Sequence, residues 1–202
     1  MRFYRIAGLH RFALMLVAWP IVVGPAVATA AAFPQMDVET ISGLALDLPE
    51  AFADGPSIIV IVYDQNQQPE ADSWVPFLDE MTAARPEARY YVLPVLAAGL
   101  SMVRGMVEGI IRSTAKDPVQ LDRTILLFTD VGALQEQLAI DGTSAVHVLV
   151  LDDVGEVVAT ASGAFSPING QIVDDAFAAL DGGEIGNPPG GEQEMDSLEQ
   201  LR

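Results

Sequence analysis

Beyond residue 30 the sequence holds one histidine, His147, and the whole chain has no cysteine. These two facts bound the chemistry before any element is placed. A chain without a thiol has no thiolate nucleophile. One histidine without cysteine cannot build a structural zinc site of the usual four-ligand kind. Hydrolysis at His147 would need a nucleophile on one side of the ring and an orienting carboxylate on the other. Ser144 is too close in sequence to serve as that nucleophile, and no G-x-S-x-G elbow exists. The favoured reading of His147 is a strand histidine bonded to backbone. Asp152, Asp153 and Glu156 lack the alternating spacing of a calcium loop and read as turn formers. The remaining groups with chemistry to offer are the polar run Asp64-Gln65-Asn66-Gln67-Gln68-Pro69 and the scarce cations Arg104, Arg112 and Arg123. Ion pairing with the abundant acids is the default role for these arginines. No metal and no cofactor is implied.

Charge narrows the partners. The formal net charge is −18. Loss of residues 1–30, which carry three arginines and no acid, would take it to −21. Nucleic acid and anionic membrane surfaces are bound through basic patches and are therefore excluded as direct partners. Residues 1–30 read as a signal peptide. Arg2, Arg5 and Arg11 supply positive charge, Phe12 to Val23 forms the apolar core, and Ala28-Thr29-Ala30 is an A-x-A cleavage site. A spanning helix needs about 20 apolar residues, and Pro20, Gly24 and Pro25 interrupt this stretch, which favours a cleaved signal over the alternative of an uncleaved anchor. Residues 31–180 suffice for one domain with an ordinary core.

The pattern along that domain alternates strand and helix. Ala31 to Asp54 is an extended lead-in with a first strand or hairpin around Ile41 to Leu48. Ser57 to Tyr63 (SIIVIVY) is a continuous β-branched run, as in a strand buried on both faces. The polar run follows as a loop, with Gln65, Asn66 and Gln67 expected to be exposed and tolerant of alanine. A helix is expected over Glu70 to Ala84, with Trp74, Phe77, Leu78 and Met81 on one face, ended by Arg85-Pro86. Tyr90 to Leu96 and Thr124 to Phe128 read as strands, and Val131 to Leu138 as a short helix. Val146 to Leu151 and Glu156 to Ser162 form a hairpin about Asp152 to Gly155. Pro167 to Leu180 is the closing helix. Residues 181–202 are rich in Gly, Pro and acid and read as a disordered tail. No solenoid repeat is present.

Ser101 to Ser113 (SMVRGMVEGIIRS) is the least ordinary segment. Ser101, Gly105, Gly109 and Ser113 recur every fourth position, beside an apolar row of Met102, Met106 and Ile110. Arg104, Glu108 and Arg112 form an i,i+4 charged row. The small row would let a partner backbone approach closely. The favoured alternative is a helix packed on its own sheet, with glycines where space is tight. Two interior glycines cost roughly 2 kcal/mol of helix propensity, so either reading must justify them.

Strand, polar loop, helix, strand, crossover, hairpin and last helix together resemble the thioredoxin-like fold. This is an α/β three-layer sandwich with a central mixed sheet and helices on both faces. The extra strand-to-helix step at Thr124 to Leu138 is similar to the peroxiredoxin branch, as is the Asp152-Asp153-Val154-Gly155 hairpin turn. The resemblance implies that the loop Asp64 to Pro69 stands where those families carry a reactive cysteine. It also implies that Gln65, Asn66, Gln67 and Gln68 lie near Val146 and His147. No proline precedes Val146, where thioredoxins place a cis-proline. Thiol redox chemistry is excluded. A narrower similarity is to cysteine-poor proteins grouped with mitochondrial ATP-synthase assembly factors, carried by Met102 to Arg112 and Arg123 to Asp130. It implies a non-enzymatic assembly or chaperone role with a protein partner at or near a membrane. Met102, Arg104, Gly105, Met106, Gly109, Ile110 and Arg112 would form the partner face. Two alternatives stay open: a thiol-independent, hydrolase-type enzyme using Asp64–Pro69 with His147, and a peptide- or small-ligand-binding domain.

Export gives the first prediction. The mature protein should begin near Ala31 and be recovered from the soluble periplasmic or secreted fraction. Intact-mass measurement checks it, and a membrane-bound species retaining residues 1–30 would establish the anchor instead.

Overall fold

The computed structural model describes residues 31–52, 55–115 and 117–181. The expected leader at 1–30, and the expected tail apart from Asp181, lie outside them. In chain order the elements are β1 (Met36–Glu39), β2 (Ala45–Leu48), β3 (Ser57–Val62), α1 (Gln68–Ala84), β4 (Arg89–Ala97), α2 (Arg104–Thr114), α3 (Pro118–Asp122), β5 (Leu127–Thr129), α4 (Val131–Gln137), β6 (His147–Leu151), β7 (Val157–Ser162) and α5 (Pro167–Asp181).

All six residues of β3 are buried, and the strand occupies the middle of a five-stranded sheet in the order β5-β4-β3-β6-β7. β3, β4 and β5 run parallel, while β6 and β7 return antiparallel as a hairpin. Alternate side chains of a strand point to opposite faces, so β3 feeds two cores. Ile58 and Val60 join Trp74, Leu78 and Met81 of α1 and Val173 and Phe177 of α5. Ile59 and Ile61 join Leu134 and Leu138 from α4 and its end, with Phe33 and Phe52 from the lead-in. The result is the three-layer sandwich expected from the sequence.

Several boundaries differ from the sequence reading. The lead-in hairpin pairs Met36–Glu39 with Ala45–Leu48, earlier than Ile41 to Leu48 suggested. Past Glu39 the chain attaches to the main sheet, although Thr40 N still donates to Leu44 O at 2.9 Å. Thr40 bridges Ile125, and Ile41 donates to Thr124 O at 2.8 Å. The strand expected over Thr124 to Phe128 is regular only from Leu127 to Thr129, its first residues making isolated bridges. Ala98 to Val103 forms a 3-10 turn, so Met102 precedes the α-helix proper. α3 was not expected. Asp117 caps it by accepting from Val119 N at 2.9 Å, and Pro118 starts it. α5 continues to Asp181, one residue into the segment assigned to the tail.

The β6–β7 hairpin carries a register slip. His147 opposes Ser162 and Val150 opposes Ala159, but Leu151 opposes Val157, leaving one extra residue on β7. Its turn is made as expected by Asp152, whose Oδ1 accepts from Val154 N at 3.0 Å and Glu156 N at 2.8 Å. Gly155 turns with φ +83°, and a Cβ there would meet Pro49 Cβ at 2.5 Å, so no larger residue fits.

Candidate functional site

The end of β3 leads directly into the polar run, and local hydrogen bonding organises that run tightly. Asp64 Oδ1 accepts from Asn66 N at 2.7 Å and from Asn66 Nδ2 at 2.6 Å. Gln67 reaches back, its Oε1 accepting from Tyr63 N at 2.8 Å and Asp64 N at 3.3 Å. This is a reciprocal capping box. It opens a 3-10 turn at Gln65–Gln67 that passes into α1, with Pro69 in the first helical turn. Gln67 is buried, not exposed, and its Nε2 donates to Thr143 O at 2.8 Å across to the segment before β6. Three residues on, Glu70 Oε2 accepts from Val146 N at 3.1 Å. The expected proximity of this loop to Val146 therefore holds, and two side chains staple the two segments together. Gln65 stays exposed; Gln68 lies in the first turn of α1, its Nε2 donating to Asp72 Oδ1 at 2.7 Å.

His147 is buried at the start of β6. Its Nε2 lies 3.1 Å from Gly142 O, and its Nδ1 lies 3.0 Å from Ser162 Oγ on the opposing strand. A carbonyl can only accept, so Nε2 donates to it, while the serine hydroxyl can either donate to Nδ1 or accept from it. The ring stands edge-on to Tyr63 at 5.9 Å. Gly142 O accepts a second bond, from Gln135 Nε2 at 2.6 Å. Beside this loop is an open depression lined by Gly132, Gln135, Glu136 and residues 139–142. Tyr63 Oη is buried without a hydrogen-bond partner. Burial is the main cause that pushes its pKa above the usual tyrosine value. The sequence reading did not include Tyr63, Glu70, Gln135 or Ser162. The pair Asp64-x-x-Gln67 ahead of Pro69 is a readable capping signature that would have placed Gln67.

The second candidate surface lies on the outside of α2. Met102 is 89% exposed, Met106 63% and Ile110 46%. An ideal Cβ at Gly105 or Gly109 would meet no described atom within 4 Å. The favoured expectation, that these glycines relieve crowding against the protein's own sheet, is therefore overturned. Val103, Val107 and Ile111 form the inner, half-buried row instead. Arg104 is held inward. Its guanidinium lies 4.6 Å from the Phe128 ring centre, Nη1 donates to Leu126 O at 3.2 Å, and Glu108 is 3.6 Å away. Arg123 likewise bonds Asp79 at 3.1 Å and covers Tyr90. Arg112 has no ion-pair or hydrogen-bond partner among the described residues.

No family model matches the sequence, and no curated protein matches it. Solved structures do match. The exposed lipoprotein thioredoxin of Streptococcus pneumoniae aligns over 73% of this chain and 100% of its own, with 14% identity and a TM-score of 0.50. A Sco-family cytochrome c oxidase assembly protein aligns over 75% and 95%, with 10% identity and a TM-score of 0.53. An uncharacterised conserved protein of Geobacillus kaustophilus covers 76% and 82%, with 11% identity and a TM-score of 0.50. The fold is thioredoxin-like. Within it, the loop position expected to hold a cysteine in redox relatives is occupied here by the Asp64–Gln67 box. The Val146 amide, next to the expected cis-proline position, is taken by Glu70.

Two predictions follow from these bonds. Gln67→Ala leaves two backbone amides and a carbonyl without their partners, and should cost about 2–3 kcal/mol in chemical denaturation. Gln65→Ala should stay within about 0.5 kcal/mol. Equal effects would show that Gln67 bears no special load. Tyr63→Phe removes an unpaired buried hydroxyl and should leave stability at neutral pH unchanged or raise it by about 1 kcal/mol. A raised folded-state pKa contributes stability that is fully present below the unfolded tyrosine value of about 10 and lost as pH rises through the folded value. The variant should therefore lose less stability than wild type above about pH 10, as melts across that range would show.

Proposed function

We propose that this chain is an exported, non-redox binding module of the thioredoxin-like fold that captures a protein partner at or near a membrane through the outer face of α2, in an assembly or chaperone role. The observation that carries the reading is the apolar row Met102, Met106 and Ile110, exposed beside two glycines that face open space. Large exposed apolar patches on soluble proteins mark interaction sites. Methionine suits a surface that must adapt to a partner, and the glycines permit a close helix approach. Arg112 is free to meet an acid on the partner's rim. Export is supported by the leader-like composition of residues 1–30. Among the described residues no helix is long and apolar enough to cross a membrane. The Sco-family neighbour, named as a cytochrome c oxidase assembly protein, supports assembly beside a membrane complex as a role for this fold.

A second reading, hydrolysis at His147, has one observation in its favour: the 3.0 Å contact between Ser162 Oγ and His147 Nδ1. The Gly142 carbonyl stands where a triad would place its carboxylate. This reading requires Ser162 to react with a fluorophosphonate and His147→Ala to abolish the labelling.

The binding reading is tested by replacing Gly105 and Gly109 with leucine. Both positions are open, and each change gains about 0.8 kcal/mol of helix propensity, so the melting temperature should hold or rise. A membrane-complex subunit captured by wild-type bait from the native envelope should be lost from the variant. Undiminished capture would remove α2 from the interface.

A further inference from the structure

The oxidisable sulfur among the described residues is all thioether, and it is unevenly distributed. Met81 is 4% exposed inside the α1 core, and Met36 is half-buried against the other core. Met102 and Met106 stand one turn apart on the outside of the α2 segment, among the most exposed apolar side chains described. The flank beside Met106 is Gly105 and Gly109, where no described atom lies within 4 Å of a Cβ position. Nothing on that side shields the sulfurs from a small oxidant.

We propose that Met102 and Met106 form a methionine-oxidation site that converts the apolar face of α2 into a polar one. The co-reactant is hydrogen peroxide. A thioether lone pair attacks the electrophilic oxygen of hydrogen peroxide, an S–O bond forms as the O–O bond breaks, and the leaving hydroxide takes the proton of the sulfur-bound hydroxyl, giving the sulfoxide and water. Sulfur loses two electrons to the peroxide, and the product sulfoxide is polar, chiral and reversible by methionine sulfoxide reductases. Met102, in the 3-10 turn that leads into α2, and Met106, in its first turn, are both exposed, so both sulfoxides would add polarity to the same end of this apolar surface. A chain without cysteine has no thiol to consume the oxidant first. The consequence for partner capture rests on the α2 reading proposed above; the modification itself does not.

The test uses the full-length mature protein and dilute hydrogen peroxide, with peptide mapping by mass spectrometry and retention on a phenyl matrix as readouts. Met102 and Met106 should oxidise at least about tenfold faster than Met81, as exposure dictates. Retention should fall as they do, without a change in melting temperature, and return after treatment with the two reductases. Met102→Leu/Met106→Leu keeps the face apolar and the volume similar, so its retention should not respond to peroxide. Comparable oxidation of Met81, sulfoxide formation at Met102 and Met106 with unchanged retention, or a peroxide response persisting in the double variant would each overturn the proposal. Failure of the binding reading is distinguishable, because it would show as undiminished capture by the glycine-to-leucine variant while oxidation and retention behave as stated.

Discussion

A strand buried along its whole length places a demand on both of its ends. Inside the sheet, β3 satisfies its backbone by pairing with β4 and β6. Where the ladder stops, the next amides still need partners, because an unpaired buried polar group costs roughly as much as a lost hydrogen bond. Gln67 answers that demand. One carboxamide oxygen takes the amides of Tyr63 and Asp64, and the nitrogen of the same group holds Thr143 O. The cap of the 3-10 turn ahead of α1, the end of the central strand and the segment leading into β6 thus depend on a single side chain.

That dependence bears on chemistry. Ligands of open α/β sheets bind outside the carboxyl ends of the strands, where loop amides and helix N-termini are free to meet them. In this chain the corresponding groups are already engaged. Glu70 accepts from Val146 N, Asp64 caps the turn into α1, and both ring nitrogens of His147 have internal partners. A carboxamide carries no charge and offers no nucleophile, so it can bind backbone firmly without the chemistry a thiolate would bring. These groups instead hold the segment after β3 to the segment before β6.

The fold was legible because its strongest signals are one-dimensional. Ser57 to Val62 is apolar enough to demand cover on both faces, and Trp74, Leu78 and Met81 recur at helical spacing, so strand, helix and layer order follow. The site was less legible because it depends on offsets of a single residue. Counting outward from Leu151 and Val157 places His147 opposite Ala161, and only the bulge on β7 moves the pairing to Ser162. A one-residue slip exchanges the faces of a strand, and nothing in VVATAS announces it. Gln67 was readable from its capping spacing, but a polar run looks the same whether its side chains meet water or backbone. Gly105 and Gly109 were misleading for a related reason. Small residues at every fourth position show that close approach is allowed; they do not show from which side it comes.

That side is decided by energetics within the chain. Each interior glycine costs a helix roughly 0.8–1 kcal/mol relative to alanine. A glycine under a tight crossing recovers this through packing, but around Gly105 and Gly109 there is no described atom to pack against. The exposed Met102 and Met106 add apolar surface that contributes nothing to the core, and a charge of −18 keeps such a patch soluble without explaining it. On the inner side Val103, Val107 and Ile111 are half-buried, and Arg104 lies on the Phe128 ring. Folding therefore accounts for one side of α2 and leaves the other without an internal purpose. Among the described residues the glycine side of α2 has no packing partner, and the binding role proposed above rests on that imbalance.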